Sequence, residues 1–138
     1  MTVYSAEIDM ETEGEIQIID LTLKVRNIVK ESGIKKGIVN VFNPGATGAI
    51  ITMEYEPRLV QDTINLLKKL IPKEVGYQHD FQDDNAHSHL QASLLSPEIT
   101  IPINKNEPIL GTWQQIVFLE LDTRGRERKI VVTVLGDK

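Results

Sequence analysis

The sequence predicts a single α+β domain with a largely antiparallel sheet, and two observations carry that expectation. Strand-like segments outnumber helical ones, and hairpin-like alternating runs dominate both ends of the chain. Together these favour an α+β domain over a doubly wound βαβ fold. At 138 residues the chain suits one domain, spanning 1–138, with one sizeable core.

Taken in order, Val3 to Ile8 and Glu15 to Ile19 alternate apolar and polar residues, which predicts two strands joined at Glu11 to Gly14. Leu21, Val25, Ile28 and Val29 fall at helical spacing, with Asp20 as N-cap and Gly33 as C-cap. Gly37 to Asn43 reads as a strand, Pro44 to Gly48 as a loop, and Ala49 to Met53 as a second β-rich segment. A second helix begins at Pro57, where a missing N–H is harmless, carries the stripe Val60, Ile64, Leu67 and Ile71, and stops before Pro72. Ala86, Leu90, Ser93 and Leu94 keep helical spacing, and Ile99 to Ile103, Trp113 to Leu121 and Lys129 to Leu135 read as strands.

Composition excludes several classes. A net charge of -5 with no long Lys/Arg run argues against a nucleic-acid binder, since neutralising phosphates needs a basic face. With no cysteine, disulfides, thiolate metal knuckles and thiol nucleophiles are ruled out. The N-terminus lacks the basic start and apolar stretch of a signal peptide, and no segment approaches a membrane span, so the chain reads as soluble and cytoplasmic. A Ser-His-Asp hydrolase is disfavoured because no Gly-x-Ser-x-Gly elbow occurs.

The densest chemistry lies between Tyr77 and His89, a window holding all three histidines, His79, His87 and His89. Imidazole changes charge near neutral pH and is the commonest metal ligand. Two or three neutral imidazoles with an open position suit Zn, Ni, Co or Cu better than oxygen-seeking Mg, and zinc is the first choice by abundance. Helix start decides their geometry, because residues two apart on a helix point about 200° from each other. If Ser88 and Gln91 form a capping box, the helix starts at His89 and His87 lies in the approach to it. If it starts at Asp84 or Asn85, His87 occupies the first turn with His79 as its partner, and His89 faces away or meets a neighbouring subunit.

Three ordered motifs, Asp83-Asp84-Asn85-Ala86-His87, Ser96 through Ile101-Pro102-Ile103 to Leu110-Gly111-Thr112-Trp113-Gln114, and Arg126-Glu127-Arg128, resemble the YjbQ-like proteins, also described as secondary thiamine-phosphate synthases. The resemblance covers nearly the whole chain. It implies a two-sheet, largely antiparallel β-sandwich with two or three helices, assembling as a homotrimer, with a histidine-bound divalent metal beside a pocket for phosphorylated compounds. It also implies an activity that joins a hydroxymethylpyrimidine diphosphate to a thiazole phosphate and releases diphosphate. One departure is notable: many members carry a histidine where this chain has Gly45, whereas His89 stands here at a position where many relatives carry a non-ligand.

The candidate sites follow. His79, His87 and His89 are the metal-ligand candidates, with Asp83, Asp84 and Glu54 as partners that fix ring tautomers. Asp84 and His87 are the catalytic candidates, Asp84 as general base or acceptor for the attacking group. Arg126 and Arg128, two apart on an extended strand, would put both guanidinium forks on one face as an anion clamp. Thr47 in its small-residue loop, Asn85 and Gln114 complete the substrate- and phosphate-binding candidates, while Trp113 is assigned to packing. A phosphorylated small molecule is the expected partner. The alternative is a trimer that captures a metal or a phosphorylated metabolite without turning it over.

Overall fold

Two sheets and three helices carry the chain in the computed structural model, which describes all 138 residues. The strands are β1 (Thr2–Glu11), β2 (Gln17–Asp20), β3 (Lys36–Phe42), β4 (Gly48–Met53), β5 (Glu98–Asn104), β6 (Glu107–Pro108), β7 (Gln115–Glu120) and β8 (Glu127–Asp137). The helices are α1 (Thr22–Ser32), α2 (Pro57–Leu70) and α3 (Ala86–Leu95), with a short 3-10 turn over Gln78–Phe81. One sheet has the order β1-β8-β3-β5-β6 and the other β2-β7-β4, and every pairing is antiparallel.

The larger core lies between the sheets. Val39 and Val41 of β3, Ile101 and Ile103 of β5, and Ile130, Val132 and Val134 of β8 meet Ile116 and Phe118 of β7, with Leu21, Val25, Ile28 and Val29 of the α1 region closing one end. The other face of the small sheet is covered by α2 and α3: Val117, Leu119 and Leu121 pack with Leu67 and Ala92. Because β7 is covered on both faces, Ile116 to Leu121 is buried without a break. That run includes Glu120, whose buried carboxylate must find a partner.

Of the three expected helical stripes, those of α1 and α2 are present, with Ile71 as the C-cap just past α2. The third helix forms but not on the expected face, since Leu90, Ser93 and Leu94 are exposed and α3 buries Ala86, His87, Ser88, Gln91 and Ala92 against the chain around it. Gly33 ends α1 in the left-handed region at φ 71, as its C-cap position requires. Asp20 is not the formal cap, since Leu21 is, but Asp20 Oδ1 still accepts from the Thr22 N–H at 2.9 Å. In α2, Pro57 takes the first turn and the Glu56 carboxylate accepts from the Leu59 N–H at 2.7 Å.

The expected N-terminal hairpin is not formed. β1 pairs with β8 in the large sheet and β2 with β7 in the small one, so Thr12 to Ile16 crosses between sheets rather than turning back. Alternation shows that a segment has a buried face but not which sheet that face joins. The crossing carries Glu15 over the start of α3. Trp113 is also displaced from expectation: it lies in a turn ahead of β7, 71% exposed, and not in a packed strand.

Candidate functional site

The 3-10 turn and α3 arrange the histidine window. The Asp80 carboxylate accepts from the Ala86 N–H at 3.2 Å, starting α3 at Ala86 with Asn85 as N-cap. This excludes the start at His89. It also frees the Asn85 carboxamide: Oδ1 takes a hydrogen bond from His79 Nε2 at 3.1 Å and Nδ2 donates to Asp122 Oδ1 at 3.4 Å.

The histidines sort differently from the expected pairing. His79 meets His89, edge to face with ring centroids 4.9 Å apart, and does not meet His87. The reason is helical geometry: His87 and His89 leave α3 in nearly opposite directions, and the 3-10 turn lies on the His89 side. His87 instead turns to the sheet crossing, where its Nε2 lies 2.6 Å from Glu15 Oε2. A carboxylate only accepts, so this contact places a proton on Nε2. His87 is 3% exposed, and its Nδ1 has no partner.

Glu15 divides its two oxygens, since Oε1 lies 3.2 Å from Lys73 Nζ. The group of Glu15, His87 and Lys73 forms part of the lining of two neighbouring cavities. One, of about 310 Å3, lies between the end of α2 and α3 and is also bounded by Lys68, Ile71 and Gln91. The other, of about 470 Å3, has no hydrophobic residue in its lining and is bounded by Glu74, Asp80 and Asp84. Both sizes fall within the range of small-molecule sites, about 300–1,000 Å3. Asp84 faces the second cavity, with Oδ1 accepting from Thr123 Oγ1 at 3.2 Å and Oδ2 3.8 Å from Arg124. The structure thus brings the two catalytic candidates, Asp84 and His87, to one cavity.

The anion-clamp expectation requires correction for Arg128. Arg126 and Arg128 do point toward one row of side chains, but that row is acidic. Arg128 Nε and Nη2 grip Glu120 at 2.9 and 2.5 Å, with side chains 5% and 0% exposed, and Arg128 also stacks over Phe118. Its charge is spent inside the fold. Thr47 belongs to the same network: its hydroxyl accepts from Arg128 Nη2 and donates to Asp122 Oδ2, both at 3.0 Å, and it is buried away from both cavities. Arg126 stays half-exposed, 3.4 Å from Asp122, beside a smaller cavity of about 150 Å3 that reaches Asp84 and Asn85. Gln114 bridges the turn at Gly111 to Thr52 of β4, far from the histidines in the fold. Asp83 accepts from the Asp84 N–H, which holds its carboxyl below the usual value, helped by Arg124 and His79. Glu54 stands exposed past β4.

Burial alone would push the Asp122 carboxyl up, but the Thr123 N–H, Thr47, Asn85 and Arg126 together hold it below its ordinary value of 3.8. A depressed carboxylate stabilises the fold above its unfolded value and ceases to do so as pH falls through the folded one. Asp122→Asn is therefore expected to cost more stability at pH 6 than at pH 2, read by urea unfolding at both.

The donor set fits poorly to one histidine-held ion. No three histidine, aspartate or glutamate side chains of the chain gather with metal-binding geometry. His87 Nε2 is already committed to Glu15, leaving His79 and His89 as two imidazoles side by side. At Gly45, a β-carbon would meet Arg128 Nη1 at 2.9 Å, so the space of a larger side chain there is taken by the guanidinium.

Sequence reasoning missed Glu15, Lys68, Lys73 and the carboxylates Glu120 and Asp122. Glu15 lies 72 residues from His87, and no local spacing links them. Glu120 did carry a signal, as a charge inside an apolar strand whose neighbours are all core formers.

Comparison with known proteins places this architecture. A family model described as UPF0047 protein YjbQ-like matches residues 6–137. A UPF0047 protein of Methanothermobacter thermautotrophicus is 41% identical over 99% of this chain and 94% of its own length. One from Archaeoglobus fulgidus is 37% identical, covering 94% of this chain and 99% of its own. The crystal structure of a YbjQ-like protein of unknown function from Sulfolobus solfataricus P2 superposes with a TM-score of 0.91 at 34% identity, covering 99% of this chain and 100% of that one.

Proposed function

The chain belongs to the YjbQ-like UPF0047 family, and from that membership we propose that it is a transferase of the secondary thiamine-phosphate synthase kind, joining a hydroxymethylpyrimidine diphosphate to a thiazole phosphate. The observation that supports this reading is the His87–Glu15 pair, set where two cavities adjoin, as a reaction between two substrates needs. In that reaction the thiazole nitrogen forms a bond to the pyrimidine methylene carbon, the carbon–oxygen bond breaks, and diphosphate leaves with the electron pair. His87 Nε2 and Glu15 Oε2 act as one unit: in the acid form of the pair the Nε2 proton of the imidazolium passes through Glu15, the more open member, to the departing oxygen and leaves a neutral imidazole and a carboxylate behind. Asp84 on the polar cavity is the second carboxylate of the proposed site, an acceptor for a substrate N–H or O–H, and Arg126 is the guanidinium left at the surface for an anion.

A divalent metal, zinc first by abundance, belongs to the same proposal, as do assembly as a homotrimer and a cytoplasmic place of work. Within one chain the donors for such an ion are His79 and His89, with any third supplied by a neighbouring copy; no step above runs through it. Exposure of Phe81 and Trp113 supports a subunit that associates. No helix is long and apolar enough to cross a membrane.

A second reading, capture without turnover, is favoured by the internal neutralisation of Arg128, which removes one expected diphosphate ligand. One assay separates them. Metal-analysed protein incubated with the pyrimidine diphosphate and the thiazole phosphate is expected to form thiamine phosphate; substrate binding without product would establish capture, and neither binding nor product would remove both.

A further inference from the structure

We propose that the cavity of about 310 Å3 between the end of α2 and α3 is a subsite for a small organic anion, an aromatic or heterocyclic body bearing a phosphate, and that Lys73 changes partner from Glu15 to that phosphate on binding. The cavity itself supports an apolar body carrying a negative charge, and the inference rests on the proposed function for the ring and the phosphate.

The walls come first. Gln91, 1% exposed, sits one turn beyond His87 on the same face of α3 and donates through Nε2 to the carbonyls of Leu67 and Ile71, at 3.4 and 3.0 Å. Those are terminal carbonyls of α2, the partly negative groups that would repel an anion at a helix end. Gln91 occupies them. It also fixes Ile71 and Pro72 as one apolar wall, and the Tyr77 hydroxyl, 2.8 Å from the Pro72 carbonyl, holds the following loop. Ile16, delivered by the crossing between sheets, adds a second hydrophobic side chain to the lining.

The charges come second. Lys68 borders the cavity with no carboxylate in ion-pairing range, and Lys73 has only Glu15 at 3.2 Å with its side chain 59% exposed. Glu15 is the one carboxylate of this lining, so the cations exceed it by one. The neighbouring cavity shares Glu15, Lys73 and His87 but adds Glu74, Asp80 and Asp84 and has no apolar residue. An anion is therefore sorted to the α2 side by charge, and a ring is held there by Ile16, Ile71 and Pro72. When the phosphate draws Lys73 away, Glu15 loses its exposed counter-charge and keeps His87 alone. Occupation of the subsite thereby alters the acid–base pair next to it.

Titration calorimetry on the full chain with phenyl phosphate as probe tests the proposal, with benzyl alcohol, inorganic phosphate and benzoate as comparisons. Phenyl phosphate is expected to bind, benzyl alcohol and inorganic phosphate at least about tenfold more weakly, and Lys68→Gln and Lys73→Gln each to weaken it about tenfold, the loss of one charge-assisted contact. Lys24→Gln, an exposed lysine of α1 outside the cavity, is expected to leave it unchanged. Benzoate binding as tightly as phenyl phosphate would overturn the phosphate preference. No binding, or binding indifferent to both lysines, would overturn the subsite. The outcome is separable from turnover: lysine-dependent binding without product formation upholds the subsite and removes the catalytic reading, and product formation with lysine-indifferent binding does the reverse.

Discussion

Glu120→Ala is expected to lower the unfolding free energy by about 3–5 kcal/mol, the cost of leaving one member of a buried ion pair without its partner. Glu120 is wholly buried on β7 and receives Arg128 Nε and Nη2 together with the Thr12 hydroxyl at 2.6 Å. Removing it strands a guanidinium that is 5% exposed beneath the Phe118 ring and leaves the Thr12 hydroxyl, which joins β1 to this network, with only the Arg126 backbone. Arg128→Ala should cost a similar amount, and the double replacement by well-packed apolar residues should cost much less than the sum, since no lone charge then remains. Urea unfolding checks this: the midpoint should fall at unchanged m, whereas a loss under about 1 kcal/mol would mean the pair is hydrated and exchangeable.

The second large effect concerns rate. His87→Ala should reduce turnover about 10²–10⁴-fold, the usual contribution of a positioned acid–base group. His87 is buried in the first turn of α3, so the alanine also leaves a gap; His87→Gln, which keeps a donor toward Glu15, serves as the control for packing. Both variants should retain the wild-type circular dichroism. If His87→Gln recovers most of the rate, the imidazole acts by holding Glu15 in place and not by moving a proton.

Much of the fold was legible because periodicity reports burial directly. The stripe Val60, Ile64 and Leu67 and the left-handed Gly33 needed no tertiary information. Pairing of β1 and β2 did, because an alternating strand is equally satisfied on either sheet, and the choice is made by β7 and β8 a hundred residues later in the chain. At the site, the sequence singled out the histidine window and the acidic run before it, and Asp84 and His87 do share a cavity. Which histidine meets which group depended on the start of α3, and that start is fixed by Asp80, a residue of the window itself with no cap-like spacing. The spacing of Arg126 and Arg128 gives no sign that Arg128 alone lies in β8 or that each meets a carboxylate, Asp122 and Glu120, from the end of β7 and the turn after it. Spacing within a strand gives the direction of a charge and nothing about what neutralises it.

The most direct measurement is the rate of thiamine phosphate formation by Glu15→Gln against the wild type at matched metal content and matched circular dichroism. Glutamine keeps an oxygen for His87 Nε2 but removes the charge and the exchangeable proton, so the expected result is a rate lower by about 10² or more. Equal rates for the two proteins would contradict the role assigned to the His87–Glu15 pair.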